Sequence, residues 1–164
     1  MADDLTIRPA APNDAVHLAE RWREFGGEYV ELDPGQFRVP DEDGLAGWFE
    51  TRLREDGGDD VLWLVAERRE LVIGFLEAAI WRPDLEADRQ LMRDVGELVL
   101  KIDSIMVQEA ERGAGVGTAL MEAAELWGRS RGATRAVVIA FGESPSAMPF
   151  YEDRMSYERK TVGF

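Results

Sequence analysis

The stretch VQEAERGAGVGTALMEAAELWGRSRG, from Val107 to Gly132, constrains this chain more than any other. A strand-like run, ELVLKIDSIMV (Glu97 to Val107), leads straight into it. It then passes Gly113, Gly115 and Gly117 into an amphipathic run whose Val116, Leu120, Ala123, Ala124 and Trp127 share one helical face. A long strand turning on glycines into a helix requires that helix to dock on the sheet. The first helical turn leaves its N–H groups unpaired and carries the positive end of the helix dipole. Glycines there accept positive φ and present no Cβ, so the turn reads as an anion cradle, with Arg112 as a positive charge at its lip.

The remaining elements follow from periodicity. A strand is expected at Leu5 to Ala10. A helix follows, capped at Asn13 or Asp14 and running to about Phe25, with Leu18, Trp22 and Phe25 on one face. GGEYVELDPG then reads as a loop, and a second helix begins near Asp41 to Asp43 with Leu45, Trp48, Phe49 and Leu53 at helical spacing. Strands at Val61 to Glu67 and Leu71 to Trp81 suit an antiparallel hairpin. RPDLEADRQLMRDVG is a polar segment with a short helix or a loop. After the Glu97 to Val107 strand come a helix from Gly115 to Arg131, a strand from Arg135 to Phe141, a short helix from Ser146 to Arg154, and a last strand from Tyr157 to Phe164. The order β-α-α-β-β-β-α-β-α-β describes a single α/β domain over residues 1–164 with a mixed sheet.

Composition removes whole classes of chemistry. The chain has no cysteine, so disulfides, thiolate nucleophiles and cysteine zinc sites are absent. His17 is its one histidine, in an expected helix, and no metal site is expected. A net charge of −14 opposes general nucleic-acid binding and permits attraction of cations. No apolar run is long enough for a bilayer, and the acidic start MADDLTIRPAAPNDA does not resemble a secretory leader; a cytoplasmic protein without membrane contact is expected.

Two familiar phosphate-binding turns fit poorly. A nucleotide P-loop closes on Gly-Lys-Ser/Thr, whereas Gly117 is followed by Thr118 and Ala119. A dinucleotide turn places its last glycine one position later and sits near the start of a long βαβ series.

RGAGVG, read as Arg112-x-x-Gly115-x-Gly117 after a strand ending DSIMV, resembles the acetyl-coenzyme A signature of the GNAT superfamily of N-acyltransferases. SPSAMPFYEDRMSYE is similar to the family's second landmark, with Ser144 where asparagine is usual and Met155-Ser156-Tyr157 in place of Leu-Gly-Phe. The resemblance implies an α/β (α+β) fold with a mostly antiparallel sheet of six to seven strands and helices on both faces. It implies acetyl transfer from acetyl-CoA to a primary amine of a small molecule or peptide. The alternative is a non-catalytic acyl-CoA sensor. Main-chain amides of Arg112, Gly113, Ala114, Gly115, Val116, Gly117 and Thr118 would then hold the pyrophosphate. The pantetheine arm would lie beside Ile105, Met106 and Val107, where the fourth strand splays from the fifth, and Ser144 would face the cofactor. Tyr151 would serve the departing thiolate. The acceptor pocket would include Phe25, Glu28, Tyr29 and Trp81, with Glu31 and Asp33 nearby, and would suit a cation. The protein would act as a monomer or homodimer.

An amine with a pKa of about 10.4 must lose a proton at a cost of roughly 4–5 kcal/mol at pH 7. Asp103 is the first candidate to take it, because Glu97, Lys101, Asp103, Ile105 and Val107 share one face of a regular strand. A bulge at the splay would break that parity, and Glu77, Glu143 or a water relay are alternatives. Main-chain N–H near Ile105 or Val107 could hold the oxyanion. Without cysteine, direct attack in a ternary complex is favoured over an acyl-enzyme.

Overall fold

The computed structural model describes residues 4–55 and 58–160. Five strands form one sheet in sequence order: β1 (Leu5–Pro9), β2 (Val61–Arg68), β3 (Leu71–Trp81), β4 (Val99–Val107) and β5 (Arg135–Val138). Neighbours are antiparallel except β4 and β5, which run parallel. The helices are α1 (Ala15–Leu32), α2 (Leu45–Glu55), α3 (Val116–Ser130) and a short α4 (Ala147–Pro149) that continues into one π-helical turn, Phe150–Arg154.

Alternation along the strands divides the apolar residues between two cores. Leu64, Leu76, Ala78, Ile80, Leu100 and Ile102 meet Val116, Leu120, Met121 and Ala124 of α3. Trp63, Val65, Phe75 and Met106 meet Leu18 and Ala19 of α1 and Phe49 of α2 on the other face. The helices therefore cover both faces, as expected. Each buried Leu, Ile or Phe contributes about 1.5–3 kcal/mol, so the docking of α3 fixes the direction of its N-terminus. Trp48, expected on the packed face of α2, is half-exposed.

The β2–β3 hairpin closes through Arg69 and Glu70, whose φ values of 52° and 65° form a mirror-image turn matching strand twist. β4 begins at Val99 rather than Glu97, and β5 stops at Val138 rather than Phe141. The polar segment after β3 holds two 3-10 turns, Ala87–Arg89 and Arg93–Gly96. Residues 157–160 are not in a strand, and the rest of the expected final strand lies outside the described residues, so the described sheet has five strands instead of six to seven.

Helix α1 extends through Gly26 and Gly27 to Leu32, where a loop was expected. The chain after α1 folds back across it: a Cβ at Gly26 would lie 2.8 Å from Pro40 Cδ and 3.1 Å from the Arg38 carbonyl oxygen. That close crossing requires glycine, and it holds the second half of the helix in place.

Strand β4 is not regular but carries a bulge. Its pairing with β3 steps from Glu77 opposite Ser104 to Ala78 opposite Ile102, leaving Asp103 as the extra residue. Parity therefore reverses. Ile105 and Val107 pack toward α3, whereas Met106 joins the α1–α2 core, so Lys101, Asp103, Ile105 and Val107 do not share a face. Among the described residues no helix is long and apolar enough to cross a membrane.

Candidate active site

The β4–β5 ladder pairs only Val99–Ile102 with Arg135–Val138. β4 continues to Val107 without a β5 partner, and the gap opens into a broad depression of about 2230 Å³ that also runs along β5 and the end of α3. Asp103, Ile105, Met106 and Val107 line one side, Arg112, Gly113 and residues 115–118 form the end, and the Phe150–Arg154 turn supplies the other wall. Met106 and Val116 have buried side chains, so they offer the cleft only main-chain groups.

Gly113 and Gly115 have φ of 81° and 83°, and a Cβ at either would meet nothing within 4 Å. The backbone requires glycine there, and the space above it is open. Gly117 serves differently: a Cβ would come within 3.2 Å of the Phe150 ring, so its bare Cα seats Phe150 on the first turn of α3. Thr118 Oγ1 is buried in that turn, and among the described residues nothing pairs with it. An orphaned hydroxyl beside unpaired helix N–H groups fits a diphosphate. Ala114 is exposed at the top of the turn.

Arg112 does not project freely at the lip. Its Nε donates to the Val107 carbonyl at 2.9 Å and an Nη donates to Glu28 Oε1 at 2.7 Å. Glu28, expected at the acceptor, is thereby committed to the turn.

Tyr151 is buried beside the cleft, and among the described residues nothing pairs with its hydroxyl. Burial pushes its pKa up, and the nearby Tyr29 adds to the effect, so the hydroxyl keeps its proton. Asp103 Oδ1 lies 2.6 Å from Lys101 Nζ. Glu77 pairs with Arg52 and accepts from Ser104 Oγ at 3.4 Å on the α1–α2 side of the sheet, and Glu143 is exposed on the cleft wall.

Two expected residues stand elsewhere. Ser144 is buried, and its hydroxyl accepts from the Ala147 N–H at 3.2 Å, capping its own turn rather than facing the cleft. Trp81 ends β3, is 53% exposed, and lies under Lys101 with Nζ 4.6 Å from its ring centroid.

Phe25 and Tyr29 do reach the cleft, within a larger aromatic bridge. Ring centroids are 4.3 Å apart for Phe25 and Tyr29, 4.8 Å for Tyr29 and Phe37, and 5.0 Å for Phe37 and Phe141. The bridge joins α1, the segment after it and the segment after β5. Phe37 and Phe141 carry no periodic signal in the sequence, because both lie in irregular segments.

A scan against protein families matches residues 17–157 to the acetyltransferase (GNAT) family. The chain belongs to that family. No curated protein matches. Among solved structures, this GNAT domain is similar to a transcriptional regulator from Bacillus halodurans C-125, with 22% identity, a TM-score of 0.70, and coverage of 98% of this chain and 99% of that one. It is also similar to the aminoglycoside acetyltransferase meta-AAC0020, from an uncultured soil metagenomic sample, solved with sisomicin (18% identity, TM-score 0.67, coverage 98% and 94%). A third is AAC(6')-Iy with the bisubstrate analog CoA-S-monomethyl-acetylneamine (19% identity, TM-score 0.67, coverage 98% and 95%). At these identities the likeness establishes the fold. GNAT enzymes use acetyl-CoA, and the glycine turn with the open β4 edge fits that co-substrate. Among the described residues no cluster of side chains could hold a metal ion.

Proposed function

We propose that this GNAT domain is an N-acetyltransferase that moves the acetyl group of acetyl-CoA to a primary amine by direct attack, with both substrates bound. The observation that carries this reading is the β4 edge without a β5 partner, which runs from Asp103 to the glycine turn along the same cleft that Tyr151 lines.

Acetyl-CoA supplies a thioester whose carbonyl carbon accepts the amine. The turn from Arg112 to Thr118 binds its diphosphate, and the β4 edge accepts its arm as an added strand partner. Main-chain N–H groups of Ile105 or Val107 serve the acetyl oxygen. Asp103, held by Lys101 at the splay, takes the amine's proton directly or across a water. Tyr151 keeps its proton because it is buried, and so hydrogen-bonds the sulfur as charge develops there.

The aromatic bridge and the net charge of −14 favour a cationic small molecule or peptide amine as acceptor. The aminoglycoside acetyltransferases among the similar structures support the same class. A second reading, a non-catalytic acyl-CoA sensor, is favoured by the similar transcriptional regulator. Incubation with acetyl-CoA and a panel of amines, with release of the CoA thiol followed, tests the proposal. Turnover with at least one amine, reduced in Tyr151→Phe, is expected. Binding without turnover of any amine would favour the sensor, and absence of binding would end both readings.

A further inference from the structure

Arg112 and Glu28 form an ion pair that links the glycine turn to the acceptor side of the cleft. Arg112 opens the turn, and Glu28 sits in α1 between Phe25 and Tyr29, the two aromatics that α1 contributes to the bridge. The contact spans 84 residues of sequence at 2.7 Å, and the same guanidinium donates to the Val107 carbonyl at 2.9 Å. One side chain therefore joins the end of β4, the turn and the second half of α1. The two side chains are 31% and 33% exposed, so the pair is partly shielded yet open to a ligand in the turn.

A guanidinium carries five N–H donors. Among the described residues two are engaged, by Val107 and Glu28, which leaves the others for an anion. A diphosphate in the turn competes with Glu28 for this cation, because bidentate contacts to phosphate oxygens are among the strongest a guanidinium makes. The segment that would respond is the second half of α1, which the close crossing at Gly26 joins to Arg38 and Pro40.

We propose that Glu28 is a positioning residue: through Arg112 it couples diphosphate binding in the turn to the placement of Phe25 and Tyr29 against Phe37 and Phe141. The proposal rests on the reading of the cleft as an acetyl-CoA site. Linkage then fixes the direction of the effect. If binding draws Arg112 away from Glu28, removing the carboxylate's charge strengthens CoA binding and uncouples α1 from it.

Calorimetric titration with CoA, combined with amide hydrogen exchange over residues 25–37, tests this on the wild type, Glu28→Gln, Glu28→Asp and Arg112→Lys. The wild type should change exchange in that segment on saturation with CoA. Glu28→Gln should bind CoA about fivefold more tightly, at the lower end of usual coupling factors, and show no CoA-dependent change there. Glu28→Asp should restore part of the response. Arg112→Lys, which keeps a charge but cannot hold both partners, should lose the response even if Glu28→Gln fails to fold. An ion pair that only stabilises the fold would lower the melting temperature and leave the response intact. A wild type that binds CoA with no change in residues 25–37, or a Glu28→Gln variant that responds like the wild type, overturns the coupling alone. A wild type that does not bind CoA overturns the cleft assignment as well.

Discussion

Gly117 touches the ring of Phe150: a Cβ at this glycine would lie 3.2 Å from both Cε2 and Cζ. The neighbouring Gly115 has the opposite constraint, with φ of 83° and open space beyond. Alanine at 117 gains about 1 kcal/mol of helix propensity, which offsets the small displacement of the ring. Alanine at 115 costs about 1–2 kcal/mol in backbone strain and places a methyl group where the diphosphate lies. Gly115→Ala should therefore lower stability by about 1–2 kcal/mol and weaken CoA binding by tenfold or more, a loss of at least about 1.4 kcal/mol. Gly117→Ala should change stability by less than about 1 kcal/mol and slow turnover by shifting Phe150 and Tyr151. Thermal melts, calorimetry and the thiol assay check these four outcomes.

Tyr151→Phe should lower turnover by about 10²–10⁴-fold, the usual range for a proton donor. Because the hydroxyl has no partner among the described residues, its loss should leave the melting temperature nearly unchanged. An equal fall in stability and activity would make Tyr151 a packing residue.

Asp103→Asn should slow turnover by at least about 10²-fold while CoA binding stays at the wild-type level. The bulge at this position is a backbone feature of β4, so the variant should keep its fold. Full activity in Asp103→Asn, together with loss in Glu143→Gln, would move the base to the far wall of the cleft.

The glycine turn was legible in the sequence because positive φ and an unpaired helix start select glycine directly, at Gly113 and Gly115. The two cores were legible because Val116, Leu120 and Ala124 repeat at helical spacing while the strands alternate. What escaped depends on partners distant in sequence. The second half of α1 looks like a loop because Gly26 and Gly27 are poor helix formers, and only the crossing of Arg38 and Pro40 explains them. The pairing of Arg112 with Glu28 and the meeting of Phe37 with Phe141 are tertiary contacts without a local signal. The family pattern placed Ser144 at the cofactor, but a serine there is short enough to cap its own turn.

Asp14 gives a pH-dependent prediction away from the cleft. Burial alone would raise its carboxyl pKa, but paired contacts from Arg8 at 2.8 and 2.9 Å and the Ala11 N–H at 2.7 Å hold it below the usual range. Its contribution is therefore complete above the unfolded value, about 3.9, and is lost as pH falls through the lower folded value. Asp14→Asn should cost about 1–3 kcal/mol at pH 7, and its melting temperature should fall less steeply than the wild type's as pH drops below about 5. Parallel slopes in the two proteins would contradict the assignment.

The most direct test of the account is a calorimetric titration of acetyl-CoA into the purified protein, repeated with Gly115→Ala. Saturable one-to-one binding is predicted, weakened at least tenfold in the variant and not reproduced by ATP or NAD. No heat of binding, or equal affinity for all three ligands, would contradict it.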